Sequence, residues 1–179
     1  MIISVFNVVV AAPISRENSK NLAFKETISF SKPTIDTNGE YISLNIKETN
    51  ILLDYPGQPK LPVFSKTYKF PFGTKIKDVD CIISQVTEEE ITGTIELAPE
   101  PQPLTTFQNT IASSRDIDEL KHQNKGIYPE KWFNYEIKCG LDKGKRTIFV
   151  IFHVFPIRYK QSENKILEIN SIDIKIDYV

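Results

Sequence analysis

The sequence predicts an all-β protein: an antiparallel two-sheet β-sandwich of jelly-roll type with one long, partly helical loop. Several segments alternate apolar and polar residues with a period of two, the pattern of strands that bury one face. These segments are separated by turns rich in proline, glycine and asparagine. Eleven prolines against a single methionine also favour strands and turns over long helices.

The alternation is clearest in three segments. Ile42–Ile46 and Ile172–Tyr178 place a large apolar residue at every second position (isoleucine or leucine, and Tyr178 at the end), with polar residues between them. Ile91–Leu97 does the same, with Gly93 sharing the apolar face. Strands that bury one face and expose the other are typical of antiparallel sheets.

A fourth segment, Arg146–Phe155, is apolar on both faces over most of its length. It is predicted to be a central strand that is covered on both sides. Further strands are predicted over 50–55, 63–70, 75–86, 133–138 and 165–170. A total of about nine or ten short strands is typical of a two-sheet sandwich.

Turn residues mark the connections. Gly57–Pro62 contains two prolines that lack an N–H donor, which predicts a rigid, extended crossing outside any central ladder. Gly57 is expected to take a positive φ. The turn Phe70–Gly73 follows, and both the acidic run Glu88–Glu90 and the segment Gly140–Gly144 are predicted to be hairpin turns.

One connection is unusually long. The proline-rich run Ala98–Pro103 leads into a polar stretch, Thr105–Lys131. Within it Ser114–Lys121 has an N-cap serine and early acids, which predicts one or two helical turns. Since long connections in compact domains are often functional, this loop is the predicted functional region.

Composition excludes several classes of function. The 22 basic and 23 acidic residues nearly cancel and form no basic stripe, which argues against nucleic-acid binding. Residues 1–22 are interpreted as the rear part of a secretory signal or as a first strand, and residues 23–179 as a single domain. The apolar stretch at residues 2–12 is too short to span a bilayer.

Candidate catalytic residues are few. The cysteines Cys81 and Cys139 permit one disulfide without requiring it, and each is open to pairing with His122 or His153 in a nucleophile–base arrangement. No local motif supports such a pair, and no metal-ligand spacing is present. The sequence therefore predicts neither an active site nor a cofactor.

An ordered set of motifs carries a family resemblance. Gly57-x-Pro-x-Leu-Pro62 is followed by Phe70-Pro-Phe-Gly-Thr-Lys-Ile76, then by Tyr128-Pro-x-x-Trp132 and Phe155-Pro-Ile-Arg-Tyr159. Asn164–Leu167 and a closing Asp173–Tyr178 complete the set. In this order the chain resembles the N-terminal propeptide of gingipain-type cysteine peptidases, from about residue 24 to residue 178.

The resemblance implies a non-catalytic β-sandwich pro-domain of a secreted or cell-surface zymogen. Such a domain assists folding of a caspase-like catalytic domain as an intramolecular chaperone, and inhibits it until cleaved. The block comes from a loop that places a basic side chain in the enzyme's specificity pocket, where it pairs with a carboxylate. Here the candidates are Lys125, which is preferred because glycine follows it, and Lys121, Arg115 and Lys131.

Two other functions are left open by the residues. A secreted adhesion module for carbohydrate or protein would use Trp132 and Tyr135 as a stacking platform, although large aromatics more often serve packing. An enzyme that uses Cys81 or Cys139 is the weaker alternative, because nothing in the sequence orients a base toward either thiol.

Overall fold

The computed structural model describes residues 21–99 and 126–179, and this part of the chain forms fourteen β-strands. In chain order the strands are β1 (Leu22–Ser29), β2 (Thr34–Asn38), β3 (Tyr41–Asn45), β4 (Ile51–Leu53), β5 (Leu61–Pro71), β6 (Ile76–Ile83), β7 (Val86–Glu90), β8 (Thr94–Ile95), β9 (Ile127–Tyr128), β10 (Phe133–Asp142), β11 (Lys145–Val154), β12 (Ile157–Lys160), β13 (Lys165–Ile169) and β14 (Ser171–Tyr178). The all-β prediction is confirmed.

Two sheets face each other across the main core. One has the order β1-β14-β6 and the other the order β10-β11-β5-β4, all with antiparallel neighbours. Aromatic contacts join the two layers: the rings of Phe24 and Tyr68 lie 5.0 Å apart, and those of Phe70 and Tyr178 lie 4.9 Å apart. This arrangement is the predicted β-sandwich.

The sheet β1-β14-β6 continues past a bend into a further sheet of order β7-β13-β12-β9. The bend is held by the hydroxyl of Ser84, which accepts hydrogen bonds from the backbone N–H groups of Asn170 (3.0 Å) and Ser171 (3.1 Å). On the other side the chain passes from β11 directly into β12 through Phe155 and Pro156. A chain segment that switches between layers in this way is a corner of the sandwich.

The core consists of the inward residues of the facing strands. Ile172, Ile174 and Ile176 of β14 alternate with exposed Asp173 and Lys175, as predicted. From the opposite sheet come Val150, Phe152 and Val154, all fully buried. Among the described residues, no polar or charged residue is fully buried. The sandwich is therefore held together chiefly by removal of aliphatic and aromatic surface from water.

Strand β11 is central, as predicted, because it pairs with β10 on one side and with β5 on the other. Its second face is covered less completely than expected, since Phe149, Ile151 and His153 are only half-buried.

The prediction of a continuous strand over Ile91–Leu97 was wrong. The chain bends at Thr92 and Gly93, and β8 contains two residues. Ile91 and Ile95 are buried as expected, but Leu97 is 36% exposed. Gly93 has φ +110°, which an L side chain rarely adopts, and this backbone breaks the alternation. The pairing of β8 with β3 is also parallel, unlike the other described pairs.

Two turn predictions also needed correction. Pro62 belongs to β5 and lies opposite Leu52 of β4, at a level where β11 has not yet joined β5. A proline fits there because its missing N–H faces no second ladder strand.

The acidic run Glu88–Glu90 is strand β7, paired with β13, where the salt bridge between Lys165 and Glu88 (3.2 Å) offsets its charge. The turn within Gly140–Gly144 is confirmed, with positive φ at Lys143 and Gly144.

Two predictions lie outside the described residues. These are the signal or first strand within residues 1–20 and the helical turns over 114–121. No helix in residues 21–99 or 126–179 is long and apolar enough to cross a membrane.

Candidate functional site

The long connection predicted to carry the function leaves the described structure after Pro99 and returns at Gly126. Both of its ends are fastened to the sandwich by hydrogen bonds that involve the chain's backbone. We call this region the loop base, defined as residues 54–60, 96–99, 126–132 and Arg158. It comprises the described part of the predicted functional region together with the groups that hold it.

The outgoing end is held by the proline-containing crossing. The N–H of Ala98 donates to the carbonyl of Gln58 (2.9 Å), and the N–H of Gly57 donates to the carbonyl of Ala98 (3.0 Å). Lys60 bonds Glu96 twice: its N–H donates to the Glu96 carbonyl at 2.8 Å, and its ammonium pairs with the Glu96 carboxylate at 2.5 Å. Gly57 has φ 72°, the predicted left-handed conformation, which turns its N–H toward the outgoing chain.

The returning end is held by Arg158. Its Nε donates to the carbonyl of Pro129 (2.7 Å) and its Nη2 to the carbonyl of Glu130 (2.6 Å), while the guanidinium lies 4.9 Å from the ring centre of Trp132. Burial lowers the pKa of Arg158 and the nearby Glu130 opposes this shift, yet an arginine remains charged at any physiological pH. A planar, multiply bonded guanidinium fixes the turn more precisely than a lysine could.

Strand pairing reinforces the same end. Tyr128 and Ile127 of β9 lie opposite Tyr159 and Lys160 of β12. Further along, the N–H of Phe155 donates to the carbonyl of Trp132 (2.8 Å). The returning chain is thus fixed from residue 127 to residue 132.

The two ends lie close to each other. Burial, together with the neighbouring Tyr55 and Asp54, raises the pKa of Tyr128 to about 12. Tyr55, which directly precedes the crossing that holds Ala98, and Phe155, whose N–H bonds the Trp132 carbonyl, line one concavity, so the outgoing and returning chains meet at the same part of the sandwich. The described ends of the connection therefore rest on one rigid base, and rigid scaffolds commonly present binding segments in this way.

Sequence reasoning missed the roles of these anchors. The prolines of Gly57–Pro62 predict only a stiff crossing between strands, and nothing in the local sequence marks Arg158 as a site residue. The available signal was positional, because both lie in motifs that carry the family resemblance. Their partners are distant in sequence, and spacing alone does not reveal such contacts.

Of the four predicted inhibitory residues, Lys131 lies within the described structure. It is exposed and occupies the turn between the two carbonyls bonded by Arg158 and the start of β10. Arg115, Lys121 and Lys125 lie outside the described residues, as does His122. Their roles stay predictions.

The aromatic residues proposed for ligand stacking also take part in packing. Trp132 is half-buried, packs against the core and carries the Arg158 guanidinium over one face of its ring. Tyr135 is 37% exposed and stacks over the ring of Phe152 with a centroid distance of 6.4 Å. Both residues line one open concavity of about 550 Å³ between β6 and the start of β10.

The cysteines and the described histidine show no catalytic arrangement. Cys81 and Cys139 are both free thiols. Burial, aided by Asp80, raises the pKa of Cys81 to about 12, which disfavours the nucleophilic thiolate. His153 is half-buried, and its Nδ1 is buried with no hydrogen-bond partner among the described residues. In this part of the chain, no group of three His, Cys, Asp or Glu side chains is placed to hold a metal ion.

Comparison with known proteins gives matches in structure only. No protein-family model matches the sequence, and no curated protein matches it. The fold is similar to a structure from a study of zymogenic latency of gingipain K from Porphyromonas gingivalis, with a TM-score of 0.57 and 16% identity over 93% of this chain and 96% of that chain. It is also similar to a chain in a complex of the pro- and mature domains of RgpB from P. gingivalis, with a TM-score of 0.55 and 12% identity over 91% of this chain and 81% of that chain. The resemblance seen in the sequence is thereby confirmed at the level of the fold.

Proposed function

We propose that this chain is a non-catalytic pro-domain that assists folding of a gingipain-like cysteine peptidase and blocks its active site until it is removed by proteolysis. The observation that carries the proposal is the loop base: a long connection with four basic candidates nearby is held at both ends on a rigid sandwich. The similarity of the fold to structures from gingipain zymogens supports the same conclusion.

The physical logic concerns the cost of ordering an inhibitory segment. A loop with fixed ends loses less conformational freedom on entering a cleft than a free tail does. A basic side chain that reaches a buried carboxylate then forms a charge-assisted hydrogen bond, among the stronger non-covalent contacts. The proposed setting is extracellular or on the cell surface, and the proposed partner is the caspase-like catalytic domain.

The alternative of a carbohydrate-binding surface gains no support from the loop base. Arg158 occupies one face of the Trp132 ring, which leaves less of this half-buried ring to stack on a sugar. For Cys81, the thiol alternative is weakened by the raised pKa of this buried thiol.

The proposal is tested by adding the purified chain, at micromolar concentration, to mature gingipain K and to mature RgpB, and following hydrolysis of peptide substrates. We expect inhibition of at least one peptidase, and a higher yield when its denatured catalytic domain is refolded in the presence of the chain. If neither activity nor refolding yield changes, the proposal is wrong.

The inhibitory residue is identified with alanine variants of Lys125, Lys121, Arg115 and Lys131. We expect one of them to raise the inhibition constant about tenfold or more, because a single anchor dominates such contacts. Lys145→Ala, at the exposed start of β11, is the matched control and should leave inhibition unchanged. Equal inhibition by all four variants would contradict the basic-anchor part of the proposal.

A further inference from the structure

The outer face of the four-stranded sheet carries a groove that the core does not use. It has a volume of about 320 Å³ and lies beside β4, where Ile51, Tyr55, Asn134, His153 and Phe155 line it. Ile51 lies opposite Val63 on β5, and His153 lies opposite Ser65, two residues further along the same strand. Residues two apart in a strand share a face, so Ile51 and His153 lie on the same side of the sheet. The groove is therefore on the side of the sheet that faces away from the second layer.

Apolar exposure is concentrated here. Ile51 is 46% exposed, Leu52 49% and Tyr55 65%, all within one five-residue stretch. Scattered exposed apolar residues are ordinary, whereas a cluster that lines a concavity indicates a contact surface. The half-buried face of β11, with Phe149 and Ile151, continues the apolar surface beyond the groove.

A further feature shows unused bonding capacity. Among the described strands, β4 pairs with β5 alone, so within this part of the chain its second edge offers free backbone N–H and carbonyl groups. An extended segment of another protein can bind such an edge by backbone hydrogen bonds.

The position of the groove identifies its occupant. Tyr55 belongs both to the groove and to the loop base, and its carbonyl accepts a hydrogen bond from the N–H of Gln58 (2.9 Å), within the crossing that holds the outgoing chain. Both described ends of the loop lie at this end of the sandwich, so a protein that binds the loop close to its base would lie beside the groove. Contact with the groove would hold that protein next to the loop without using the specificity pocket.

We propose that this groove is a second docking surface for the peptidase catalytic domain, separate from the inhibitory loop. The inference rests on the proposed function and adds to it an apolar contact that binds an extended surface segment of the enzyme along β4. A rigid tyrosine with both apolar and polar surface is the kind of residue that dominates such interfaces.

The test uses mature gingipain K and RgpB whose catalytic cysteine is blocked by a covalent inhibitor that fills the specificity pocket. Binding of the full chain to the blocked enzymes then reports docking outside that pocket. We expect residual binding that Tyr55→Ala and Ile51→Glu each weaken about tenfold.

Two matched controls lie elsewhere. Tyr41→Ala removes a tyrosine that is 50% exposed on β3, and Ile82→Glu changes an isoleucine that is 67% exposed on the outer face of the other sheet. Both should bind within about twofold of the unmodified chain. Thermal unfolding of all four variants distinguishes lost docking from lost folding.

The outcomes separate the two proposals. If the unmodified chain inhibits an active peptidase but shows no binding to the blocked enzyme, or if Tyr55→Ala and Ile51→Glu bind as well as their controls, the docking proposal is overturned while the proposed function stands. If the unmodified chain neither binds nor inhibits, the proposed function fails, and the docking surface fails with it.

Discussion

Arg158 connects two parts of the chain that are far apart in sequence. Its guanidinium bonds the carbonyls of Pro129 and Glu130 and lies over Trp132. Each carbonyl would otherwise need another donor, since the turn over 129–132 belongs to no strand. The Arg158 side chain thus fixes the backbone at the returning end of the loop.

Replacing Arg158 by lysine is expected to lower the free energy of unfolding by about 1–3 kcal/mol, because a point charge on a flexible stem cannot bond both carbonyls in the same geometry. Urea denaturation measures the loss. Arg146→Lys is the matched control: Arg146 also lies over a ring, that of Phe72 at 5.5 Å, but it is exposed, and the expected change is below about 0.5 kcal/mol. Equal costs for the two variants would show that Arg158 is not an anchor.

At the scale of the element, Gly93 decides where the strand predicted over Ile91–Leu97 ends. With φ +110° its backbone turns away from β geometry, and a Cβ at this position would lie 2.9 Å from Cγ2 of Ile42. The side-chain amide of Asn164 donates to the carbonyls of Ile91 (2.7 Å) and Gly93 (3.3 Å), and so holds the bend. The bend in turn brings Glu96 and Ala98 to the crossing that fixes the outgoing loop end.

Gly93→Ala is expected to lower the free energy of unfolding by about 2–4 kcal/mol, from backbone strain and from the clash with Ile42. Gly73→Ala provides the comparison, because Gly73 also has a positive φ (+95°) but nothing lies within 4 Å of its added Cβ. In that variant the free energy of unfolding should fall by about 1–2 kcal/mol, from backbone strain alone. Chemical denaturation of both checks the difference, and a cost at Gly93 no larger than at Gly73 would rule out the steric contribution.

For the whole molecule, the two layers are joined by one charged group of residues as well as by apolar packing. The carboxylate of Glu26, on β1, accepts hydrogen bonds from Lys66 (2.5 Å) and Tyr68 (2.7 Å), both on β5 in the opposite sheet. Burial acts to raise the pKa of Glu26, but the bonds from Lys66 and Tyr68 outweigh it and hold the pKa below its usual value. Burial and Glu26 together raise the pKa of Tyr68, so its hydroxyl remains a donor.

This linkage predicts how stability depends on pH. Because the pKa of Glu26 is lower in the folded than in the unfolded state, its contribution is present above the unfolded value of about 4.5 and is lost as the pH falls through the lower folded value. Glu26→Gln should cost about 1–2 kcal/mol at pH 7 and little at pH values below the folded pKa. Glu136→Gln removes a carboxylate paired on the surface with Lys138 and should change the free energy of unfolding much less than Glu26→Gln, because exposed ion pairs contribute little. Urea denaturation across this pH range measures both, and a pH-independent cost at Glu26 would contradict the assignment.

Local covalent geometry explains which features could be predicted from the sequence. Successive side chains of a strand point to opposite faces, so the buried faces of β3 and β14 follow directly from their alternating residues. The apolar length of β11 likewise predicted its central position. The glycine at position 57 and the turn before β11 followed from conformational preference alone.

Tertiary structure decided the features that depend on partners distant along the chain. Pro62 joins a strand because β11 starts its pairing two residues later, and Glu88–Glu90 pairs as a strand because β13 supplies both a ladder and Lys165. The loop base formed from segments up to about 100 residues apart in sequence, which no local pattern encodes. The sequence by itself determined the strands and the family resemblance, whereas the anchors of the functional loop arose from hydrogen bonds that only the packed sandwich brings within reach.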